Sequence, residues 1–172
     1  MLQEDLEGGP RRLLRHRRSF KLPTSERDDR GWTHLHIRSR KGDLKEVKRL
    51  LDDGVDVNIP AWGPKSQGET PLHLAAQGGH IKVMDLLLDR GADIDARTKG
   101  ACGWTPLHSA AKARNKEAIR FLIENGAFLP SDMNDGRFNP PLHYCTGLEW
   151  AYEIKRTQAD CSAGDTSCSS EN

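Results

Sequence analysis

The sequence predicts a mainly α solenoid: three repeated helix pairs with β-hairpin fingers, a C-terminal capping helix and disordered tails. Three observations predict it. The hexads Gly31-Trp32-Thr33-His34-Leu35-His36, Gly68-Glu69-Thr70-Pro71-Leu72-His73 and Gly103-Trp104-Thr105-Pro106-Leu107-His108 recur 37 and 35 residues apart. Each is followed, at a constant offset of 23 residues from its first glycine, by Gly54, Gly91 or Gly126. Between these two signatures the apolar residues keep helical spacing.

These residues resemble the ankyrin repeat, with its period of about 33 residues and its Thr-Pro-Leu-His-x-Ala signature. The resemblance covers residues 28–129, divided at about 28–60, 65–97 and 100–129. Threonine caps exposed amides and proline is tolerated at the first helical position, so the first helix of a unit starts at Pro71 or Pro106. Leu72, Leu74, Ala75 and Ala76 follow, their small members letting helices approach, and Gly78-Gly79 break the run. Residues 81–90 form the second helix. It is apolar nearly all round, which requires neighbours on both sides, and Gly91 supplies the left-handed residue that ends it.

The terminal units depart from this pattern in ways that suit their position. In the first, Leu44, Val47, Leu50 and Leu51 give a one-faced helix, as expected of a cap with one wet side. In the third, Arg114 stands at the place of Gly79, and the turn is strained unless Asn115 takes the left-handed conformation. A degenerate fourth unit appears at Pro141-Leu142-His143. A closing helix at 147–156 then covers the third repeat, so that 130–156 forms a lid over Phe121 and Leu122. Residues 1–27 are expected to be a disordered basic tail and 157–172 a disordered, acidic, serine-rich tail.

Composition narrows the function. The chain has 172 residues, 30% of them charged, and a net charge of +1, which offers no global attraction to nucleic acid or anionic membrane. Its longest apolar run, Leu86-Leu87-Leu88, is far short of the roughly twenty residues that span a bilayer. A secretory signal is not expected, and Glu4, Asp5 and Glu7 weigh against an organelle presequence. The four cysteines, Cys102, Cys145, Cys161 and Cys168, lack paired zinc spacing and are too sparse to staple the domain, so a reducing compartment and free thiols are expected.

Catalytic signatures are missing: there is no glycine-rich phosphate loop, no nucleophile elbow and no unexplained carboxylate pair. No cofactor and no catalytic residue is expected. The in-register histidines His36, His73, His108 and His143 do not make a metal site. Stacked helices lie about 10 Å apart, whereas zinc ligands must converge within about 2.1 Å of one ion. The expected role of these imidazoles is to hold the fingers through backbone hydrogen bonds.

Binding chemistry is expected on the concave face, where the junctions exceed the repeat norm by about four and about two residues. That excess places Trp62 and Lys65 near one finger tip and Lys99 near the next. Trp32 and Trp104 share one repeat position, so Trp32, Trp62, Lys65, Lys99 and Trp104 are the candidate partner-binding residues. Trp32 and Trp104 keep a second reading, packing within their own fingers. At the N-terminus, Arg11, Arg12, Arg15, Arg17 and Arg18 read as a nuclear-import signal, a phosphate-binding arm or a solvated tail, and Ser19 beside them is a candidate phosphosite.

A narrower resemblance rests on residues outside the generic repeat. Residues 27–32, 61–66, 100–104, 137–141, 147–152 and 165–172, including Ala61-Trp62-Gly63-Pro64-Lys65-Ser66 and Gly147-Leu148-Glu149-Trp150-Ala151-Tyr152, are similar to the plant phytochrome-interacting ankyrin-repeat proteins. The resemblance implies a plant protein that binds phytochrome photoreceptors in cytoplasm and nucleus, and a non-enzymatic, monomeric module is expected. It also implies modulation of light signalling, anthocyanin accumulation included. The competing expectation is a nuclear transcriptional co-regulator or adaptor whose arginine arm contacts nucleic acid.

Overall fold

Threonine and histidine at the start of each inner helix act as one unit, with proline between them in the second and third repeats. In the computed structural model, which describes residues 26–100, 103–140 and 144–163, Pro71 and Pro106 open helices that Thr70 and Thr105 cap. The imidazole three residues after the cap folds back, so that Nδ1 of His73 lies 3.1 Å from the Thr70 amide and 2.9 Å from its hydroxyl, both donors. His36 and His108 repeat this with Thr33 and Thr105.

Among the described residues seven helices follow: α1 (His34–Lys41), α2 (Leu44–Asp52), α3 (Pro71–Gly78), α4 (Ile81–Asp89), α5 (Pro106–Lys112), α6 (Lys116–Glu124) and α7 (Leu148–Ala163). The inner row α1, α3, α5 packs side by side, the outer row α2, α4, α6 lies behind it, and α7 closes the end against α5 and α6. One apolar cluster runs through all of them, from Leu35 and Val47 through Leu72, Met84 and Leu87 to Leu107, Ile119, Leu122 and Leu148. No repeat has a core of its own, so each unit is stabilised by its neighbours.

Polar ties set the spacing between units. His36 Nε2 donates to the Glu69 carbonyl (2.9 Å) and His73 Nε2 to that of Trp104 (3.0 Å), while His108 Nε2 donates to Asn139 Oδ1 (2.9 Å). Asn139 in turn donates to Tyr152 of α7 at 2.7 Å, joining the third repeat to its lid. On the other edge, residues preceding the outer helices reach back one unit. His80 Nε2 donates to the Arg40 carbonyl (2.9 Å) and Asn115 Nδ2 to that of Gln77 (2.6 Å).

Four details differ from the sequence-based expectation. The fingers are hydrogen-bonded turns rather than β-hairpins: the described residues contain no strand, only an isolated antiparallel bridge between Arg27 and Thr33. Their bases are closed by one or two backbone bonds, Ala61 N–H to Glu69 O (2.8 Å) with Gly68 N–H to Ala61 O (2.8 Å) in the second and Thr98 N–H to Trp104 O (2.9 Å) in the third, too few to build a ladder. Arg27, assigned to the tail, is tied to the first finger by bonds to the carbonyls of Gly31 (3.0 Å) and Pro60 (2.8 Å).

The left-handed residue of the third turn is Arg114 itself, at φ +60°, where the first two units have Gly42 and Gly79. Asn115 cannot take that role, because its backbone precedes α6 at φ −88° while its amide holds α3. Finally, the closing helix runs on from residue 156 to Ala163, into the segment expected to be a tail, since no glycine or proline interrupts the chain before Gly164. The degenerate signature Pro141-Leu142-His143 lies outside the described residues, as do residues 1–25 and 164–172.

Candidate functional site

The inner helices and the fingers that precede them leave a concave face, and its chemistry follows from register. Trp32, Glu69 and Trp104 occupy one repeat position; Arg40, Gln77 and Lys112 occupy another, near the ends of α1, α3 and α5. Where the second and third fingers meet, these positions contribute to a groove of about 350 Å³. Lys65, Ser66 and Gln67 line one wall, Thr98 and Gly100 the other, and Glu69, Trp104, Ser109 and Lys112 lie between.

The insertion that carries Trp62 is held by close backbone approach. Trp62 N–H donates to the Gly31 carbonyl (3.2 Å) and Ser66 Oγ to that of Arg30 (2.8 Å). At Gly63 a side chain would be impossible without rearrangement, since a Cβ there would lie 1.7 Å from the Arg30 carbonyl oxygen. Fixed this way, the Trp62 side chain remains 62% exposed, and Lys99 from the third finger sets its ammonium 4.4 Å from the ring centroid. The third finger is itself tied to the second through Lys99 N–H to Gln67 O (2.9 Å).

Of the five candidate contact residues, Lys65 and Trp104 line this groove, while Trp62 and Lys99, whose chain neighbours Thr98 and Gly100 line it, stack together from adjacent fingers beside it. Trp32 is placed differently. Only 8% exposed, it packs with Ala61 and Leu74 in a small cluster under the first finger, flanked by Arg30 and Arg40. Such a ring presents little surface to a partner. Arg11, Arg12, Arg15, Arg17, Arg18 and Ser19 lie outside the described residues.

Sequence reasoning missed Lys112 and Glu69. Lys112 sets its ammonium 4.7 Å from the centroid of the Trp104 ring. Glu69 is half-buried, and burial pushes its carboxyl above the ordinary range against the opposing pull of Arg40 and Lys112. Comparing equal repeat positions could have found both, because Glu69 replaces a tryptophan and Lys112 stands in the register of Arg40. No spacing rule, however, shows that the lysines lie over the rings.

Two other concavities differ in kind. One of about 490 Å³ lies between Pro130, Met133 and α7, and one of about 500 Å³ lies between α2 and α4, with Leu44, Lys82 and Asp85 among its residues. The first is bordered by the closing helix and the second by the outer helices. Among the described residues no group of histidine, cysteine and carboxylate side chains could hold a metal ion, and no helix is long and apolar enough to cross a membrane. Cys145 is buried, with its thiol donating to the His108 carbonyl (3.4 Å), and burial pushes it up to about 11; Cys161 is exposed and free.

Stacked helix pairs tied by in-register histidines, with a finger groove on the concave side, define a repeat protein of the protein-interaction class. The family described as Ankyrin repeats (3 copies) matches residues 11–98, and that described as Ankyrin repeats (many copies) matches 75–123 and 107–147. The chain belongs to the ankyrin-repeat proteins. It is 72% identical, over 150 residues that make up 86% of each chain, to Phytochrome-interacting ankyrin-repeat protein 1 of Arabidopsis thaliana. With Phytochrome-interacting ankyrin-repeat protein 2 of the same plant it shares 61% identity over 139 residues, 80% of each chain.

Proposed function

We propose that this chain is a non-enzymatic binding module that docks a phytochrome photoreceptor through the groove between its second and third fingers and so modulates light signalling. The observation that carries this reading is the pairing of Trp62 and Lys99. A 62% exposed tryptophan is held in place by a cation from the neighbouring finger, a pre-organised anchor of the kind that dominates interfaces. The names of the two Arabidopsis relatives supply the partner class.

The absence of an enzymatic role is supported by how the titratable groups are used. His36, His73 and His108 are buried with both ring nitrogens engaged, so none is free to move a substrate proton. We further propose residence in cytoplasm and nucleus as a monomer; the basic run from Arg11 to Arg18 supports the nuclear part.

The test is a pull-down of phytochrome by the full chain and by a Trp62→Ala, Trp104→Ala double variant, with circular dichroism to follow folding. Loss of about 2 kcal/mol or more of binding energy with little change in the melt is expected, as for anchor residues. Binding of the double variant at full strength would remove the groove from the account.

A further inference from the structure

We infer that the finger groove and the Trp62–Lys99 stack beside it select a partner segment rich in aspartate and glutamate, seated across the ammonium groups of Lys65, Lys99 and Lys112. This rests on the docking reading above and names the chemistry of what docks.

The first observation is how these cations are held. Lys99 and Lys112 lie over the rings of Trp62 and Trp104, at 4.4 and 4.7 Å, while Lys65 lines the groove together with Trp104 and Lys112. A lysine whose ammonium is held over a ring has given up part of its freedom before any ligand arrives, which lowers the cost of binding a carboxylate. The second observation is that none of these ammonium groups is in ion-pair contact with a carboxylate of the described residues. Elsewhere arginines meet carboxylates within the chain: Arg30 with Asp28, Arg38 with Asp43, Arg49 with Glu46 and Asp53, Arg90 with Asp52 and Arg137 with Asp135. Among the described residues, Lys65, Lys99 and Lys112 take part in no such pair.

Glu69 is the one carboxylate lining the groove, and it does not reverse the balance. It feels Arg40 from one side and Lys112 from the other, so the groove keeps an excess of positive charge inside a chain whose net charge is only +1. A basic segment would be repelled by three lysines. A nucleic acid needs a continuous track of phosphate contacts, whereas this groove, at about 350 Å³, holds a few side chains, and Asp28 and Asp29 lie on the adjoining finger. Carboxylates carried by a protein segment meet both conditions.

Selection of random short peptides displayed on phage against the full-length chain tests this directly. The recovered peptides are expected to carry an excess of Asp and Glu over the unselected library. The most enriched peptide should bind less tightly as salt rises, and about tenfold less tightly to a Lys65→Glu, Lys99→Glu, Lys112→Glu variant. All three lysines are exposed, so the melt of that variant should stay close to that of the parent. A Lys65→Gln, Lys99→Gln, Lys112→Gln variant, which adds no repulsion, should show a smaller loss in the same direction.

Selected peptides with no acidic excess, undiminished affinity in the glutamine variant, or displacement of the peptide by oligothymidylate would overturn the inference. The two readings fail separately. Phytochrome binding that needs Trp62 and Trp104 but ignores the lysine changes would sink only the acidic segment, whereas acidic peptides bound by a chain that ignores phytochrome would sink only the photoreceptor.

Discussion

His36, His73 and His108 each sit at the third position of an inner helix and are almost wholly buried, with both ring nitrogens bonded. Nδ1 accepts from the capping threonine, so the proton must sit on Nε2, which donates across the repeat boundary. Protonation would turn Nδ1 into a donor facing donors. Burial, the main cause, brings His36 and His73 down from 6.5 to about 4 and lowers His108 as well. Below pH 6.5 the unfolded chain takes up protons that the folded chain refuses, so the stability present at neutral pH is lost as pH falls toward about 4. Each ring removes up to about 1.4 kcal/mol per pH unit in that window. Urea unfolding at pH 7 and pH 5 checks this: a marked fall in stability is expected, and a level profile would show that the imidazoles are not bound as described.

The same scale shows what could be read from the chain and what could not. The recurrence of Thr-Pro-Leu-His exposes helix starts, because capping and the fixed φ of proline act within four residues. Arg114 is the counterexample. Its place opposite Gly42 and Gly79 was visible, but the tie from Asn115 to the Gln77 carbonyl spans 38 residues, and it is this tie that leaves Arg114 to take the left-handed conformation.

Among the elements, α7 does the most to complete the array. Leu148 and Ala151 are fully buried in the common core, Lys155 donates to the Leu129 carbonyl (2.8 Å), and Tyr152 bonds both Asn139 and the Asp132 carbonyl. Truncation of a buried leucine costs about 2–5 kcal/mol. Leu148→Ala is therefore expected to lower stability by about 3 kcal/mol in chemical denaturation; a loss below about 1 kcal/mol would mean that α7 is a loose appendage. A closing helix was legible from Leu148, Trp150, Ala151, Tyr152 and Ile154. Its full length was not, because Thr157 to Ala163 contain no large apolar residue to mark a buried face, only the lack of a breaker. The fingers show the reverse error, in which a familiar hairpin was expected although each base is closed by few bonds.

For the whole molecule, the continuous core makes a rigid backing that presents fingers from successive repeats at fixed spacing. Repeat arithmetic located the finger tips: Lys65 and Trp104 line one groove, and Trp62 and Lys99 stack beside it. It could not separate Trp32, buried under the first finger, from Trp104, because the two share a register position and differ only in what packs over them. That difference is tertiary: Ala61 and Leu74 close over the first ring, while the second borders open space. The central claim is that a protein partner docks on this concave side. Nuclear magnetic resonance of the labelled full-length chain, titrated with a phytochrome fragment, tests it most directly. The account predicts that the largest shift changes fall on the Trp62 and Trp104 indole N–H signals and on backbone amides of residues 62–68 and 98–104. Changes concentrated instead on α2, α4 and α6, with the two indoles unmoved, would contradict it.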